Sequence, residues 1–342
     1  MKTTTFNHAR LRRSEVTVEA GSSTVRMSGL VKARRGVAPG GTGRAPGKAN
    51  RRGRLGAQTT RTFFWLVLPS VLLLVLIQGY PLVYAAIQAT HNGSLTDSGS
   101  FVGLDNFIDV LGSRAFWKAA QFTLVFTVVG VFGSWAVGLA LALLLRARIP
   151  ARGLFKVLLL LPWVVPVVVS STAWNWLVST PSSPIPALCR ALGLGTPLFL
   201  ADPTLAVVTV CVFKVWVSFP FMMLMSSAAL ASVDGTVYEA ASLDGASRRQ
   251  QFTQITLPLI ARSTYISWIL MTIFCVNDFP AIYLLTGGGP VDSTSSLVVY
   301  AYRMVFQNFQ TGPGVAVAFL MTMTLVAVSV ILYRQIRKSS VA

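Results

Sequence analysis

Residues 238–260, "YEAASLDGASRRQQFTQITLPLI", form a long polar interval between two hydrophobic segments of this chain. Just before it, Thr236 is followed three residues later by Glu239, which fits a capping box. That pattern predicts a short helix that begins at Thr236 and ends at Gly245, where glycine adopts a left-handed backbone at little cost. The small residues Ala240 and Ala241 are expected at an exposed corner of this helix.

A second helical run follows the glycine. Its spacing places Phe252, Ile255 and Leu259 on one face. Pro258 is expected to break the run and to begin the next membrane helix, at a position where no backbone donor is needed. The stretch therefore predicts two short helices at an angle to each other. Together they would form a protrusion that could enter a groove on another protein. Glu239 has two open roles, contact with that protein or only the capping of its own helix.

The composition of the chain is that of a membrane protein. Its 342 residues are 53% hydrophobic and 12% charged, about half the charged share of a typical soluble domain. Three isolated cysteines, Cys189, Cys211 and Cys275, suggest neither a disulfide framework nor a zinc site. His8 and His91 lie in different segments, so no metal site is expected.

Six stretches are long enough to cross a membrane, for which about 20 mainly apolar residues are needed. They are residues 63–89, 119–145, 154–178, 204–232, 261–285 and 314–333. The sequence thus predicts an all-α integral membrane protein with six transmembrane helices.

Basic residues are distributed unevenly along the chain. Residues 1–62 hold 14 Lys and Arg against two Glu and lack apolar periodicity, so we expect a disordered tail. Because much of the +18 net charge sits in this tail, nucleic acid is not an expected partner, whereas anionic membrane lipid is. With the N-terminus inside, 24 basic residues fall on the inner side and 4 on the outer side. Both termini are therefore expected in the cytoplasm of a multi-pass cell-membrane protein.

Two charged residues lie well inside predicted spans, away from the span ends, where charge is costly and usually faces a cavity or a partner. Lys214 is in the fourth span, and Asp278, next to Asn277, is in the fifth at a similar depth. They either pair, line one aqueous path or snorkel to the outer interface. Prolines inside three of the spans favour a transport pathway, because broken membrane helices often mark translocation sites. These prolines are Pro162, Pro166, Pro220 and Pro280.

A phosphate-binding loop is not expected in this chain. The nearest stretch, "GTGRAPGKAN" at 41–50, has Thr42 where the first glycine should stand and Ala49 where Ser or Thr would hold magnesium. An energy source for transport would have to be another subunit.

The pattern E-A-A, three residues, G, nine residues, I-x-L-P resembles the cytoplasmic signature of permease subunits of binding-protein-dependent ABC importers. It is met in full between Glu239 and Pro258. Other stretches resemble the carbohydrate-uptake branch, the maltose and glycerol-phosphate type: "FVGLDNF", "LLPWVVPVVVSSTAWNWL", "FLADP" and "LTGGGPVDSTSSLVVYAYRMVF". The resemblance implies a type I ABC importer permease fold over 63–338, with a cytoplasmic coupling helix in a loop at 233–260. Six helices resemble the shorter members rather than the maltose-type permease with extra N-terminal helices.

The resemblance also implies partners and site residues. An ABC ATPase dimer would bind ATP and Mg, a second homologous permease would complete the pathway, and an extracytoplasmic solute-binding protein would deliver a carbohydrate. This chain would hold no cofactor and no catalytic residue. Coupling to the ATPase is implied for Glu239, Ala240, Ala241, Gly245, Ile255, Leu257 and Pro258. Polarity, depth and aromatic faces suggest substrate contact for Lys214, Trp216, Asn277, Asp278 and Tyr283.

Two other functions are compatible with parts of the sequence. An intramembrane enzyme would use Asp278 as a catalytic carboxylate, but Lys214 is the only other charged residue away from the ends of the six spans. An energy-independent channel or secondary transporter for a small polar solute is the more serious rival. The signature loop separates them, because it serves no purpose without an ATPase.

Overall fold

The computed structural model describes residues 51–94, 96–97, 99–147 and 150–339. In those ranges the regular structure is helical, with no strand. The chain divides into two units, residues 1–68 and 69–342. The helices are α1 Arg51–Ala89, α2 Asp105–Gly112, α3 Arg114–Leu144, α4 Arg152–Val164, α5 Val167–Val178, α6 Pro184–Ala191, α7 Pro203–Ala231, α8 Gly235–Leu243, α9 Arg248–Gln250, α10 Leu257–Val276, α11 Phe279–Thr286, α12 Leu297–Tyr302 and α13 Thr311–Ser339, and π-helices span Gln251–Thr256 and Arg303–Gln307.

The predicted tail at 1–62 lies outside the described residues up to residue 50. Its last part, from Arg51, is helical and belongs to α1, so the expectation of disorder is wrong there. Once an apolar segment has nucleated a helix, each further residue adds a hydrogen bond at small cost. A basic segment next to such a helix can therefore continue it.

Five described helices are long and apolar enough to cross a membrane, and a bent pair makes a sixth candidate. The five are Phe64–Ala89, Arg114–Leu144, Pro203–Ala231, Arg248–Val276 and Thr311–Gln335. The bent pair is α4 with α5, which meet at 90°, so the predicted third span, 154–178, is not one straight helix. The cause is Pro166, which has no amide hydrogen and forces Val165 into an extended conformation (ψ 132°).

The predicted fifth span, 261–285, is also wrong in its bounds. Its helix begins earlier, at Arg248, and ends at Val276. Asn277 and Asp278 form a break, after which α11 starts with Pro280 in its first turn. Asp278 therefore lies at a helix junction and not inside a helix.

Three clusters of buried apolar side chains fill the interior of the helical bundle. The central cluster contains Phe126, Phe213 and Met271, all with fully buried side chains. A second lies around α2, α12 and α13, and a third, with Leu139 and Ile260, lies where α3 ends and α10 begins. These clusters fix α3, α7 and α10 as the frame that carries both candidate sites.

Helices α3 and α7 approach each other closely along a row of glycines. A methyl group added at Gly138 would lie 2.6 Å from the backbone nitrogen of Met223, and one at Gly133 would lie 2.7 Å from the Val215 side chain. Glycine is required at such positions because any side chain would push the two helices apart. The pair therefore packs backbone against backbone near Gly138.

Candidate coupling loop and intramembrane ion pair

The start of α8 is fixed by an aspartate. Asp234 is the N-cap residue, and its Oδ1 accepts a hydrogen bond from the Thr236 amide at 3.0 Å. Hydrogen bonds from Thr236 lower the pKa of the Asp234 carboxyl below its ordinary value, so the cap stays charged near neutral pH. The predicted capping box of Thr236 and Glu239 is wrong. Aspartate is at least as good an N-cap as threonine, and here it stands one residue before the helix.

Helix α8 presents one face outward and one inward. Glu239, Ala240 and Leu243 are exposed, Leu243 to 90%. Ala241 is buried, at 9% exposure, so its predicted place on the exposed corner is wrong. Positions 238 and 241 are three residues apart and share the inner face of the helix, and the backbone of Ala241 also accepts a hydrogen bond from the Ala246 amide.

The turn after α8 depends on glycine, as predicted. Gly245 has a φ of +77°, in the left-handed region. The true capping box comes next: the Ser247 hydroxyl accepts from the Gln250 amide, and the Gln250 side chain accepts from the Ser247 amide at 2.8 Å. The S-x-x-Q spacing could have revealed this box from sequence. Gln251 then donates to the Ser242 hydroxyl at 3.1 Å, which ties the second helical run back to α8.

The second run passes into the membrane helix without a break. Residues Gln251–Thr256 form a π-helix, and α10 continues directly with Pro258 in its first turn. The predicted break at Pro258 is therefore wrong, because the wider π turn relieves the clash between a proline ring and the carbonyl four residues earlier. The π turn also moves the buried face by one residue, so that Leu259 is 53% exposed and Ile260 only 2%. Ile255 and Leu257 are half-buried, and Pro258 is exposed.

Tyr238 anchors α8 to the bundle. Its hydroxyl lies 3.1 Å from the Thr256 hydroxyl at the end of the π-helix. The Arg146 guanidinium, just past α3, lies over the Tyr238 ring, 4.7 Å from its centroid. Cation–π contact of this kind stabilises even at exposed sites. Sequence pattern alone does not reveal this anchor, because it joins residues far apart in the chain.

Inside the membrane segments, Lys214 and Asp278 form an ion pair. The Lys214 Nζ lies 2.6 Å from Asp278 Oδ2, and the two side chains are 6% and 11% exposed. Of the alternatives left by the sequence, snorkelling is excluded in this conformation. The other oxygen of Asp278, Oδ1, accepts from the Ala281 amide at 3.2 Å and so caps α11. Space for the lysine comes from Gly130, where a methyl group would lie 3.1 Å from Lys214 Cγ.

The other three predicted pathway residues are not gathered around this pair. Trp216 packs on Trp174, with ring centroids 5.5 Å apart. Tyr283 stacks on Phe279 at 4.7 Å, in a different aromatic cluster. Asn277 is exposed, and its side-chain amide donates to the Ile273 carbonyl at 2.9 Å. Only Lys214 and Asp278, of the five, are brought into direct contact.

Known proteins resemble this chain over most of its length. Residues 47–340 match a family described as "Binding-protein-dependent transport system inner membrane component". A probable ABC transporter permease of Sinorhizobium fredii is 35% identical, covering 82% of this chain and 92% of the relative. A trehalose/maltose transport system permease of Thermococcus litoralis is 34% identical, covering 69% of this chain and 79% of the relative.

A solved structure agrees in fold. A crystal structure of a bacterial ABC transporter that imports alginate matches with a TM-score of 0.71 at 19% identity, covering 84% of this chain and 99% of that one. The predicted permease fold is confirmed. With the matched family spanning nearly the whole described structure, the chain belongs to the inner membrane components of binding-protein-dependent transport systems.

Proposed function

We propose that this chain is the membrane-spanning subunit of an ATP-driven sugar importer. It forms half of a translocation pathway with a second, homologous permease, and it has no catalytic activity of its own. An ABC ATPase dimer binds ATP and Mg, and an extracytoplasmic solute-binding protein delivers the sugar. The names of relatives that transport trehalose or maltose support the sugar class. The observation that carries the proposal is the outward face of α8, which is exposed and braced from behind.

The bracing of α8 suits the transmission of force. Its N-terminus is capped by Asp234, its C-terminus is turned by Gly245, and Tyr238 holds its inner face to the bundle. A partner that pushes on the outer face, at Glu239 and Ala240, would move the helix as one body. Closure of the ATPase dimer would then favour one of two states of the permease pair, provided that the ATPase binds those states with different affinity.

The seven residues of the coupling signature have different parts in this proposal. Glu239 and Ala240 offer the contact surface, since both are exposed. Ala241 and Gly245 set the shape of the turn behind that surface. The remaining three, Ile255, Leu257 and Pro258, connect the loop to α10, so that movement of the loop reaches the membrane segment.

The proposed substrate pathway runs along the polar and aromatic groups of α7, α10 and α11. Its residues are Lys214, Trp216, Asn277, Asp278 and Tyr283. Lys214 and Asp278 neutralise each other, so the pair presents no net charge to a sugar. Polar groups beside the pair can form hydrogen bonds with the sugar. Exposed Asn277 and the stacked ring of Tyr283 suit sugar hydroxyls and sugar faces respectively.

Two substitutions test the coupling role. Gly245→Asp strains the turn, and Glu239→Lys reverses the charge on the outer face; both should abolish sugar uptake and weaken co-purification of the ATPase while the permease still inserts. Gly195→Asp is the matched control, because Gly195 has a similar φ of +80° and open space around it, but lies in the loop before α7. Normal uptake with wild-type ATPase association in both test variants would refute the role.

The substrate pathway is tested in the same uptake assay. Unchanged sugar affinity of Asn277→Ala would show that Asn277 does not belong to the pathway.

A further inference from the structure

A cavity lies on the inner side of α8, facing the end of α3. Its volume is about 410 Å³, and it is open to the surface. Its walls include Leu143, Arg146, Tyr238, Arg248, Phe252 and Thr256. Leu143 belongs to the last turn of α3, a candidate membrane-spanning helix, so this cavity lies between the end of that helix and the coupling loop.

The charge in the cavity is of one sign. Two guanidinium groups, from Arg146 and Arg248, line it, and no carboxylate is among the lining residues. The ion pairs within the described ranges are Lys214–Asp278 and Arg303–Asp292, so no described carboxylate lies within ion-pair distance of either arginine. The Tyr238 and Thr256 hydroxyls are hydrogen-bonded to each other, and Thr256 donates to the Gln251 carbonyl, so the donors left for a ligand are the two guanidinium groups. Guanidinium groups form paired, charge-assisted hydrogen bonds with phosphate.

Part of the cavity lining is apolar. Leu143 lies three residues before Arg146 and Phe252 four residues after Arg248, and both are half-buried and pack against the apolar cluster at the end of α3. A free phosphate would use only the arginines. A phospholipid would use both kinds of lining residue, with its headgroup at the guanidinium groups and the first part of its acyl chains at the apolar side chains next to them.

The position of the cavity decides between a lipid and a protein occupant. On α8, Tyr238 points toward the cavity, whereas exposed Glu239 and Leu243 lie on other sides of the helix. An ATPase that docks on the outer face would approach from the side away from α3. Leu143 in the cavity lining belongs to the last turn of a helix long and apolar enough to span a membrane, and basic pockets at that level bind anionic headgroups.

We propose that this cavity binds an anionic glycerophospholipid, whose phosphate lies between Arg146 and Arg248. Bound there, the lipid braces α8 against the end of α3 and makes the stiffness of the coupling loop depend on the lipid composition of the inner leaflet. The proposal rests on the proposed function only for the cytoplasmic position of the loop.

Lipid binding can be measured on the purified full chain without the ATPase. Native mass spectrometry with added phosphatidylglycerol gives the affinity for each bound lipid, and phosphatidylcholine serves as the zwitterionic comparison. Arg146→Gln/Arg248→Gln should weaken the tightest phosphatidylglycerol site about thirtyfold, because two basic contacts are lost. The matched control, Arg152→Gln/Arg249→Gln, removes the same charge from exposed residues that do not line the cavity and should leave that site unchanged.

Three outcomes would overturn the proposal. Equal losses in both double variants would mean general surface attraction, and no loss in either would mean no site. Displacement of the lipid by inorganic phosphate at the same concentration would show that the cavity binds a free anion. Failure of the proposed function is distinguishable from all three, since it appears in uptake and ATPase association of the Glu239 and Gly245 variants and not in lipid affinity.

Discussion

At the scale of residues, the Lys214–Asp278 pair is stable only as a unit. Each charge taken out of water costs several kcal/mol, and the partner 2.6 Å away offsets that cost. Asp278 has a second task, because it also caps α11. The two tasks can be separated, since asparagine caps helices as well as aspartate but carries no charge.

We therefore expect Asp278→Asn to lower the free energy of unfolding by about 3–5 kcal/mol, because Lys214 is left buried without a counter-charge. Asp202→Asn is the matched control: Asp202 caps α7 through the Leu205 amide at 2.8 Å, but it is exposed. Thermal unfolding in detergent measures both. Adding Lys214→Met to Asp278→Asn should restore most of the loss, and equal unfolding temperatures of Asp278→Asn and Asp202→Asn would contradict the assignment.

At the scale of elements, the contact between α3 and α7 depends on missing side chains. Near Gly138 the facing atoms are backbone atoms of Met222 and Met223, which cannot move aside as a side chain can. A methyl group there has to separate the helices or distort one of them. Gly153 in α4 is the opposite case, because a methyl group at that position would meet nothing within 4 Å.

Gly138→Ala is expected to destabilise the protein by about 1–3 kcal/mol through overpacking. Gly153→Ala, the same chemical change at an open helix position, should be neutral or slightly stabilising. Thermal unfolding of the two variants in one detergent gives the comparison. If Gly138→Ala unfolds at the wild-type temperature, the close approach of α3 and α7 is not what the packing implies.

The lengths of the apolar runs predicted which membrane helices exist, but they did not predict where those helices begin, bend and end. The run at 261–285 is interrupted by Asn277 and Asp278, and the helix ends at Val276, where Asp278 caps α11 and also pairs with Lys214, which is 64 residues away in the chain. The π-helix before Pro258 likewise depends on Thr256, whose hydroxyl donates to the Gln251 carbonyl at 3.1 Å. Gly245 could be predicted, because its requirement for a left-handed backbone is local.

At the scale of the whole molecule, the first membrane helix is the exception to the packing. Between residues 69 and 89 only Gln88 and Ala89 are buried, whereas α7 has buried residues along most of its length. A helix that is apolar and exposed on all sides is suited to lipid or to another subunit rather than to water. The chain thus offers a large apolar surface that only a membrane or an assembly can cover.

The orientation predicted from basic residues can be tested with single cysteines. In a Cys189→Ser background the remaining cysteines, Cys211 and Cys275, are buried. Ser242→Cys, at the exposed end of α8, should react with a membrane-impermeant maleimide only after the cells are permeabilised. Ser182→Cys, exposed in the loop before α6, should react in intact cells. The reverse pattern would place the coupling loop outside and contradict the positive-inside assignment.

The glycine row between α3 and α7 has a mechanical consequence. One end of α3 reaches Arg146, which holds Tyr238, and its middle carries Gly130, which makes room for Lys214 on α7. Two helices in backbone contact tilt together as one rigid body, because no side chains between them can change conformation to absorb the movement. A displacement of a few ångströms at the coupling loop would therefore rotate α3 and α7 together and move the buried Lys214 with them.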